Sequence, residues 1–290
     1  MNYLWDILKS ILWIVVEFLL FVIILAPISY LINFVINAAI DIPDNISLAD
    51  NPVYTLLNEY IPLLIGSLFS LYLTHVVIFK RPWAITGFSR GRKWPDTLMA
   101  GFMAALFISL GFGLLYILRY IIVDTVDFDF LLFGGFILLF FVQSSFEEIV
   151  SRSFMIPSIT ARSNIWVALF ISSSLFAILH LTNPSISLTS TINIFLAGLV
   201  LGLLYLRYQS IWPAISFHAA WNFFQGSFYG FEVSGHEVYS YIDSTENGPD
   251  WLTGGSFGFE GSLMTTLLLL SYSIYLYDKW DKKVIPGQLL

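Results

Sequence analysis

Residues 131–156 read LLFGGFILLFFVQSSFEEIVSRSFMI and set two adjacent carboxylates, Glu147 and Glu148, inside an otherwise apolar segment. An ionisable side chain at that depth in a membrane costs roughly 2.5–3.5 kcal/mol on insertion scales, so it faces a bundle interior or a water-filled cavity. On a helix, Glu148 and Arg152 are four residues apart on one face, with the acid first, which favours an ion pair. Glu147 points about 100° away around the helix, and we expect it to serve another purpose.

The composition of the whole chain indicates a membrane protein. Of its 290 residues, 57% are hydrophobic and 11% are charged, and the mean hydropathy is +0.79, whereas soluble domains have about 25% charged residues. Divided into apolar runs of about 20 residues, the chain predicts an all-α fold, a polytopic transmembrane bundle of about eight helices. The absence of cysteine excludes disulfides, thiolate metal sites and cysteine nucleophiles. We expect no nucleic-acid partner.

Eight apolar runs account for this helix count. The first contains Pro27, which predicts a kink, and it is too long and too weakly basic at its start for a cleaved signal peptide. The fifth, sixth and seventh runs follow one another after short turns only. The runs cover about residues 11–40, 56–79, 97–123, 131–157, 165–181, 191–206, 211–229 and 262–277.

Charged loops between the runs predict the topology. The loop at residues 80–93 contains five basic residues and is cytoplasmic by the positive-inside rule. With eight crossings, both termini are cytoplasmic, the acidic loops lie outside, and only Arg119, near the outer end of the third run, departs from the rule. The other basic groups on the cytoplasmic side are Lys9, Arg162, Arg207 and the 279–283 tail.

Three more polar side chains lie in apolar runs: His180, His218 and Asn222. Each alone has a structural explanation, because a histidine can bond a backbone carbonyl and an asparagine can link two helices. Asn222 follows His218 by one helical turn and shares its face. Taken together with Glu147, they supply a carboxylate, two imidazoles and an amide, the groups that activate water and stabilise an oxyanion.

These residues form three short motifs on three successive hydrophobic segments. The motifs are Glu147-Glu148-x-x-x-Arg152, Phe176-x-x-x-His180 and His218-x-x-x-Asn222. Their order and spacing resemble the CPBP intramembrane proteases, also called the Abi family, which include the type II CAAX prenyl endopeptidases. The resemblance covers about residues 135–226. It says nothing about the segments on either side. We therefore divide the chain into three N-terminal helices (1–124), a catalytic core (125–229), and an acidic outer loop with the last helix (230–290).

The resemblance implies an endopeptidase that hydrolyses a membrane-associated protein or peptide, in CAAX-type or bacteriocin-type processing. Glu147 would activate the water, and His180 would share that task or orient the water. His218 and Asn222 would stabilise the oxyanion. Glu148 and Arg152 would support the architecture of the site.

The cofactor is left open between none and zinc. Glu147, His180 and His218 could supply three zinc ligands with water in the fourth position, and members of the family are commonly labelled metalloproteases. The sequence contains no HExxH motif, however. The same residues also support a glutamate-dependent mechanism without metal, which we favour slightly.

The depths of two site residues in the membrane disagree in this interpretation. At ~1.5 Å per residue, Glu147 lies ~24 Å below the outer edge, counted from Leu131. His180, counted from Ile165, lies ~22 Å from the inner edge. In a hydrocarbon core ~30 Å thick, the two residues would then lie ~15 Å apart across the membrane. A common site therefore requires the fourth helix to begin later, bend or tilt.

Two other functions remain open. The same cluster could belong to a non-catalytic scaffold or self-immunity protein that binds a peptide or lipid, or to a proton-coupled transporter, although we find no internal repeats. A scaffold should tolerate Glu147→Gln, whereas a protease should not. We expect a multi-pass protein of a prokaryotic plasma membrane, with the lipid bilayer and a peptide substrate as partners. The acidic segment 230–261 could recognise basic peptides or be a soluble loop, which is the more common case, and its aromatic and glycine content would also allow it to cover the site.

Overall fold

A computed structural model describes residues 2–40, 51–88 and 94–280, with side chains from Trp5 onward. Part of the predicted acidic loop after the first helix lies outside the described residues. So do three basic residues of the 80–93 loop and the two lysines near the C-terminus: Arg90, Arg92, Lys93, Lys282 and Lys283.

The described residues form eight long helices, each corresponding to one predicted apolar run. Five of them, α1 to α4 and α6, are long and apolar enough to cross a membrane, and α5 is a shorter apolar helix. This confirms the helical membrane fold, while eight crossings and cytoplasmic termini remain predictions. The bounds are α1 (Asn2–Ala39), α2 (Pro52–Ile78), α3 (Trp94–Ile117), α4 (Phe130–Thr160), α5 (Ile165–Leu179), α6 (Leu188–Tyr208), α7 (Trp212–Phe223) and α8 (Leu263–Lys279).

Polar side chains fix the first turns of several helices. Asn51 accepts hydrogen bonds from the backbone at the start of α2, Asp129 does so for α4, and Asn164 for α5. Ser187 forms a capping box at the start of α6. Such caps satisfy backbone N–H groups that have no partner within the helix. They set the starting points of α2, α4, α5 and α6.

The helix α4 changes its hydrogen bonding at the two glutamates. It is α-helical to Glu148 and then takes a wider π-helical turn over Ile149–Phe154. The helix α7 likewise continues as a π-helical turn over Phe224–Phe228. Turns of this kind are rare and occur frequently at functional sites. In α4 the π-helical turn begins directly after Glu148 and contains Arg152.

A two-stranded sheet departs from the all-α fold predicted from the sequence. The strands β1 (Ile121–Val126) and β2 (Ile242–Glu246) pair antiparallel, with an irregularity between Val123 and Thr125. The prediction that the third apolar run stays helical to Val123 is therefore wrong. The helix α3 stops at Ile117. Arg119, two residues later, has a positive φ of 62°, which does not continue a helix. The β-branched residues that follow favour an extended backbone once a partner strand is present.

A buried ionic cluster joins three elements at one end of the bundle. Glu17 of α1 is fully buried, and Arg81 donates to both its carboxylate oxygens, at 2.7 and 2.8 Å. Arg162, in the turn between α4 and α5, donates from Nε to the same carboxylate at 2.9 Å. Arg81 and Arg162 therefore lie at the same end, in agreement with the predicted common side of the two basic groups.

The helix α7 lies among α3, α4 and α6 and carries two of the predicted site residues. Its Phe217 packs against Phe107 of α3 and Tyr272 of α8, with ring centroids 6.4 and 5.6 Å apart. Aromatic pairs at these distances add to the stabilisation from burial. The next residue, His218, lies about 100° around the helix and points toward the glutamates of α4.

Candidate active site

Glu148 and Arg152 form the buried base of the site. Both side chains have no exposed surface, and Arg152 Nε lies 3.1 Å from Glu148 Oε2. Arg152 Nη1 donates to Oε1 at 3.2 Å, and Nη2 donates to the carbonyl of Gly198 at 3.0 Å. The guanidinium also stacks on Phe176, 4.6 Å from the ring centroid. The predicted ion pair is thus present, and it ties α4 to α5 and α6.

Close packing of α5 and α6 makes this arrangement possible. A Cβ atom at Gly198 would lie 3.0 Å from the Cα of Ser173, so only glycine allows the two backbones to approach this closely. Small residues serve this purpose where membrane helices pack. The close approach places the Gly198 carbonyl within reach of Arg152.

His218 is oriented by the same carboxylate. Its Nδ1 lies 3.0 Å from Glu148 Oε1. An ionised carboxylate can only accept, so Nδ1–H donates and Nε2 is left for the cavity. Nε2 lies 3.8 Å from Oε2 of Glu147.

His180 is oriented by a backbone carbonyl instead. It is the first residue after α5, and its Nδ1 donates to the carbonyl of Phe176 at 2.7 Å. The sequence interpretation placed His180 within the helix, whereas the structure places it at the C-terminal cap. Its Nε2 lies 3.9 Å from Oε2 of Glu147, so both imidazoles present the same atom to the same oxygen.

Glu147 Oε2 is the point on which the two histidines converge. Its other oxygen accepts a hydrogen bond from Gln143 Nε2 at 3.3 Å, whereas Oε2 has no hydrogen-bond partner in the described part of the chain. Gaps of 3.8 and 3.9 Å are too long for direct hydrogen bonds. They are suited to a bridging water molecule, which can bond to groups separated by more than 3.5 Å.

The depth disagreement predicted from the sequence does not occur. The helix α4 continues to Thr160, so Glu147 is better counted from the turn that α4 shares with α5. Counted from this turn at ~1.5 Å per residue, Glu147 lies ~20 Å and His180 ~22 Å along their helices. The two residues are level because both are measured from one turn, whereas the earlier count used two assumed membrane edges.

A cavity of about 570 Å³ contains all four predicted catalytic residues in its lining. Asn222, which is 6% exposed, lies one turn after His218 and makes no hydrogen bond with the residues that the structure describes. Phe140, Phe146 and Trp221 supply much of the apolar wall. Cavities of a few hundred Å³ with apolar walls and few polar groups are typical of ligand sites.

Sequence reasoning missed several residues of this lining. Glu59 and Tyr60 come from α2, and Ser234, His236 and Glu260 come from the acidic segment after α7. Glu59 had a signal, since it is an acid inside the second apolar run, as Glu147 is inside the fourth. Ser234, His236 and Glu260 occur in a polar segment without periodicity, where no pattern distinguishes a cavity residue from a solvated one.

The residues as placed do not form a zinc site. Tetrahedral zinc with ligands at about 2.0–2.2 Å requires donor atoms closer together than the 3.8 and 3.9 Å that separate Glu147 Oε2 from the two Nε2 atoms. Among residues 2–40, 51–88 and 94–280, no group of three or more His, Asp or Glu side chains has the spacing to hold a metal ion. We therefore derive no step through a metal.

The fold and this cavity define a polytopic membrane protein with a partly buried glutamate and two histidines arranged around a water-sized gap. The resemblance found in the sequence is confirmed for the middle of the chain. Residues 129–224 match the family model described as type II CAAX prenyl endopeptidase Rce1-like, and this segment contains all six predicted site residues. No curated protein matches the chain significantly. The segment is thus similar to a family of membrane proteases.

Proposed function

We propose that the protein is an intramembrane endopeptidase that hydrolyses a peptide bond of a membrane-associated protein or peptide with water activated by Glu147. One observation carries the proposal: Glu147 Oε2 has no hydrogen-bond partner in the described residues and lies 3.8 and 3.9 Å from two histidine Nε2 atoms. The proposal includes both CAAX-type and other peptide-processing substrates.

The gap between these atoms sets the orientation of the water. A water molecule placed there donates one hydrogen to Glu147 Oε2 and the other to His180 Nε2, because Nδ1 of His180 is the protonated nitrogen. Its oxygen lone pairs then point away from both groups, toward the cavity. As the water attacks the carbonyl carbon, Glu147 takes its proton.

The other side of the cavity supplies stabilisation for the oxyanion. Asn222 has an NH₂ group with no hydrogen bond in the described part of the chain, and His218 adds a second donor when Nε2 carries a proton. Collapse of the tetrahedral intermediate breaks the C–N bond. Glu147 then returns the proton to the leaving nitrogen, which gives a carboxylate and an amine.

The test compares purified wild type with Glu147→Gln in liposomes against a library of transmembrane peptides. We expect cleavage to fall by about 10²-fold or more in the variant, the range for loss of a general base. Glu237→Gln, at an exposed position outside the cavity lining, is the matched control and should cleave like wild type.

Four results would separate the alternatives. Cleavage that persists with a chelator supports the mechanism without metal, whereas its loss supports a metalloprotease. Equal cleavage by Glu147→Gln would contradict the role of Glu147. No cleavage by a folded wild type across the library would favour a scaffold or immunity protein instead.

A further inference from the structure

The charge of the cavity is unbalanced. Three carboxylates line it, from Glu59, Glu147 and Glu260, and its described lining contains no lysine or arginine. Arg152 lies close by but is bound to Glu148 and to the Gly198 carbonyl. The charges that remain to meet a substrate are therefore predominantly negative.

Glu260 is held so that one oxygen is left for the cavity. Its Oε1 accepts from the backbone N–H of Ser234, from the Ser234 hydroxyl at 2.9 Å and from Gln225 Nε2 at 3.1 Å. Asn193 of α6 donates to its carbonyl at 2.8 Å. Its Oε2 makes no hydrogen bond with any described residue. Both the backbone and one carboxylate oxygen are thus fixed, while the second oxygen has no protein partner.

Because Glu260 is buried, its ionised carboxylate would be stabilised by a nearby cation. Burial raises the pKa of its carboxyl, and the Ser234 hydrogen bonds and the nearby His180 oppose this effect. A buried carboxylate without a full counter-charge is costly, so a cation placed at Oε2 would stabilise the charged form.

Glu59 and Asn222 add two independent observations. Glu59 faces the same cavity from α2 and forms no ion pair within the described residues. Asn222 is more than nine-tenths buried, lines the cavity and has an amide without a protein partner in the described ranges. A side-chain amide pairs well with a peptide group, so the cavity offers recognition for a peptide backbone beside recognition for a positive charge.

We propose, on the basis of the protease function above, that the enzyme selects peptides with a lysine or arginine side chain beside the scissile bond, which Glu260 and Glu59 recognise. A substrate with a free C-terminal carboxylate near the scissile bond would bring that negative charge close to the glutamates of the cavity. The described lining contains no lysine or arginine to pair with it. Like charges that face each other repel, which suppresses binding of such a partner. Of the two substrate types that the proposed function includes, this specificity favours peptides cut within the chain over CAAX-type substrates, whose terminal carboxylate lies close to the cut bond.

The test uses one cleaved transmembrane peptide made with lysine, methionine or glutamate next to the cut bond, each with an amidated or free C-terminus. For wild type, we expect kcat/KM for the lysine peptide to exceed that for the methionine peptide by about 10-fold or more, with the glutamate peptide slowest. Glu260→Gln and Glu59→Gln should each reduce the lysine-to-methionine ratio severalfold. Glu237→Gln, which lies on the same segment and outside the lining, should keep the wild-type ratio.

A second variant keeps the outcome interpretable. The side chain of Glu59 makes no hydrogen bond with a described residue. Glu59→Gln therefore tests the proposal even if Glu260→Gln fails to fold. Equal rates for the three peptides, or ratios unchanged in both variants, would overturn the specificity and leave the protease function standing.

Binding separates the two proposals. Fluorescence anisotropy with Glu147→Gln measures the affinity for the lysine and methionine peptides without cleavage. Tighter binding of the lysine peptide supports the specificity even if wild type cleaves no peptide. The absence of cleavage would contradict only the protease function. Equal affinities would count against the specificity.

Discussion

At the scale of single residues, the two neighbouring glutamates of α4 should respond differently to the same substitution. Glu148→Gln removes the counter-charge of a guanidinium with no exposed surface. Breaking a buried pair from one side costs about 3–5 kcal/mol. We expect a clearly lower unfolding temperature in detergent for Glu148→Gln. Glu147→Gln should keep the wild-type value, and equal unfolding temperatures for the two variants would contradict this assignment.

His218 allows orientation and chemistry to be separated. In His218→Asn the side-chain amide nitrogen takes the place of Nδ1 and can still donate to Glu148, but the Nε2 that faces Glu147 is lost. We expect activity to fall by about 10²-fold, with little change in unfolding temperature. His218→Ala should lose both activity and stability. Full activity in His218→Asn would show that Nε2 takes no part in the reaction.

At the scale of elements, the contact between α5 and α6 depends on one glycine. In Gly198→Ala the new methyl group would lie 3.0 Å from the Cα of Ser173 and 3.3 Å from its carbonyl oxygen, and backbone atoms cannot move aside cheaply. We expect a loss of about 1–3 kcal/mol in stability, as for other overpacked positions. Gly134→Ala is the matched control, because nothing lies within 4 Å of its new Cβ. It should be neutral or stabilising by up to about 1 kcal/mol.

The strand β2 carries a pH-dependent group. Burial raises the pKa of Glu246 to about 7, with Glu232 and Asp250 adding to the shift and a hydrogen bond from Thr253 opposing it. The folded state then holds a proton that the unfolded chain releases at about pH 4.3. The free energy of unfolding therefore falls as pH rises between these two values. Unfolding temperatures measured from pH 5 to 7.5 should fall less in Glu246→Gln than in wild type, and parallel curves would contradict this cause.

At the scale of the whole molecule, the bundle was predictable because its signal is local. Each apolar run needs about 20 residues, and caps such as Asp129 and Asn164 stand beside the helices that they start. The convergence of Glu147, His180 and His218 could be predicted only through the resemblance, since nothing in one helix specifies its neighbours. The equal depth of Glu147 and His180 could not be predicted from the sequence, because it depends on where α4 ends.

The features that were missed depend on contacts between distant residues. Pairing of Ile121 with Glu246 joins parts of the chain that lie on either side of four helices. No pattern near residue 121 reveals that partner, and the apolar run therefore predicted more helix. Glu260 likewise enters the cavity because Asn193 and Ser234 hold it there. Its own neighbours in sequence are glycines and aromatics typical of a loop.

The cluster around Glu17 also has a consequence for biogenesis. Its two cations come 64 and 145 residues later in the chain, so the first helix is synthesised with an acid that has no counter-ion. An uncompensated charge opposes stable residence of a helix in lipid. Ribosome-bound chains that stop before Arg81 should therefore be extracted by alkaline carbonate more readily than chains that extend beyond Arg162. Glu17→Gln should make the short chains harder to extract and leave the long chains unchanged. The carboxylate of Glu17 would then determine when the first helix becomes stably inserted.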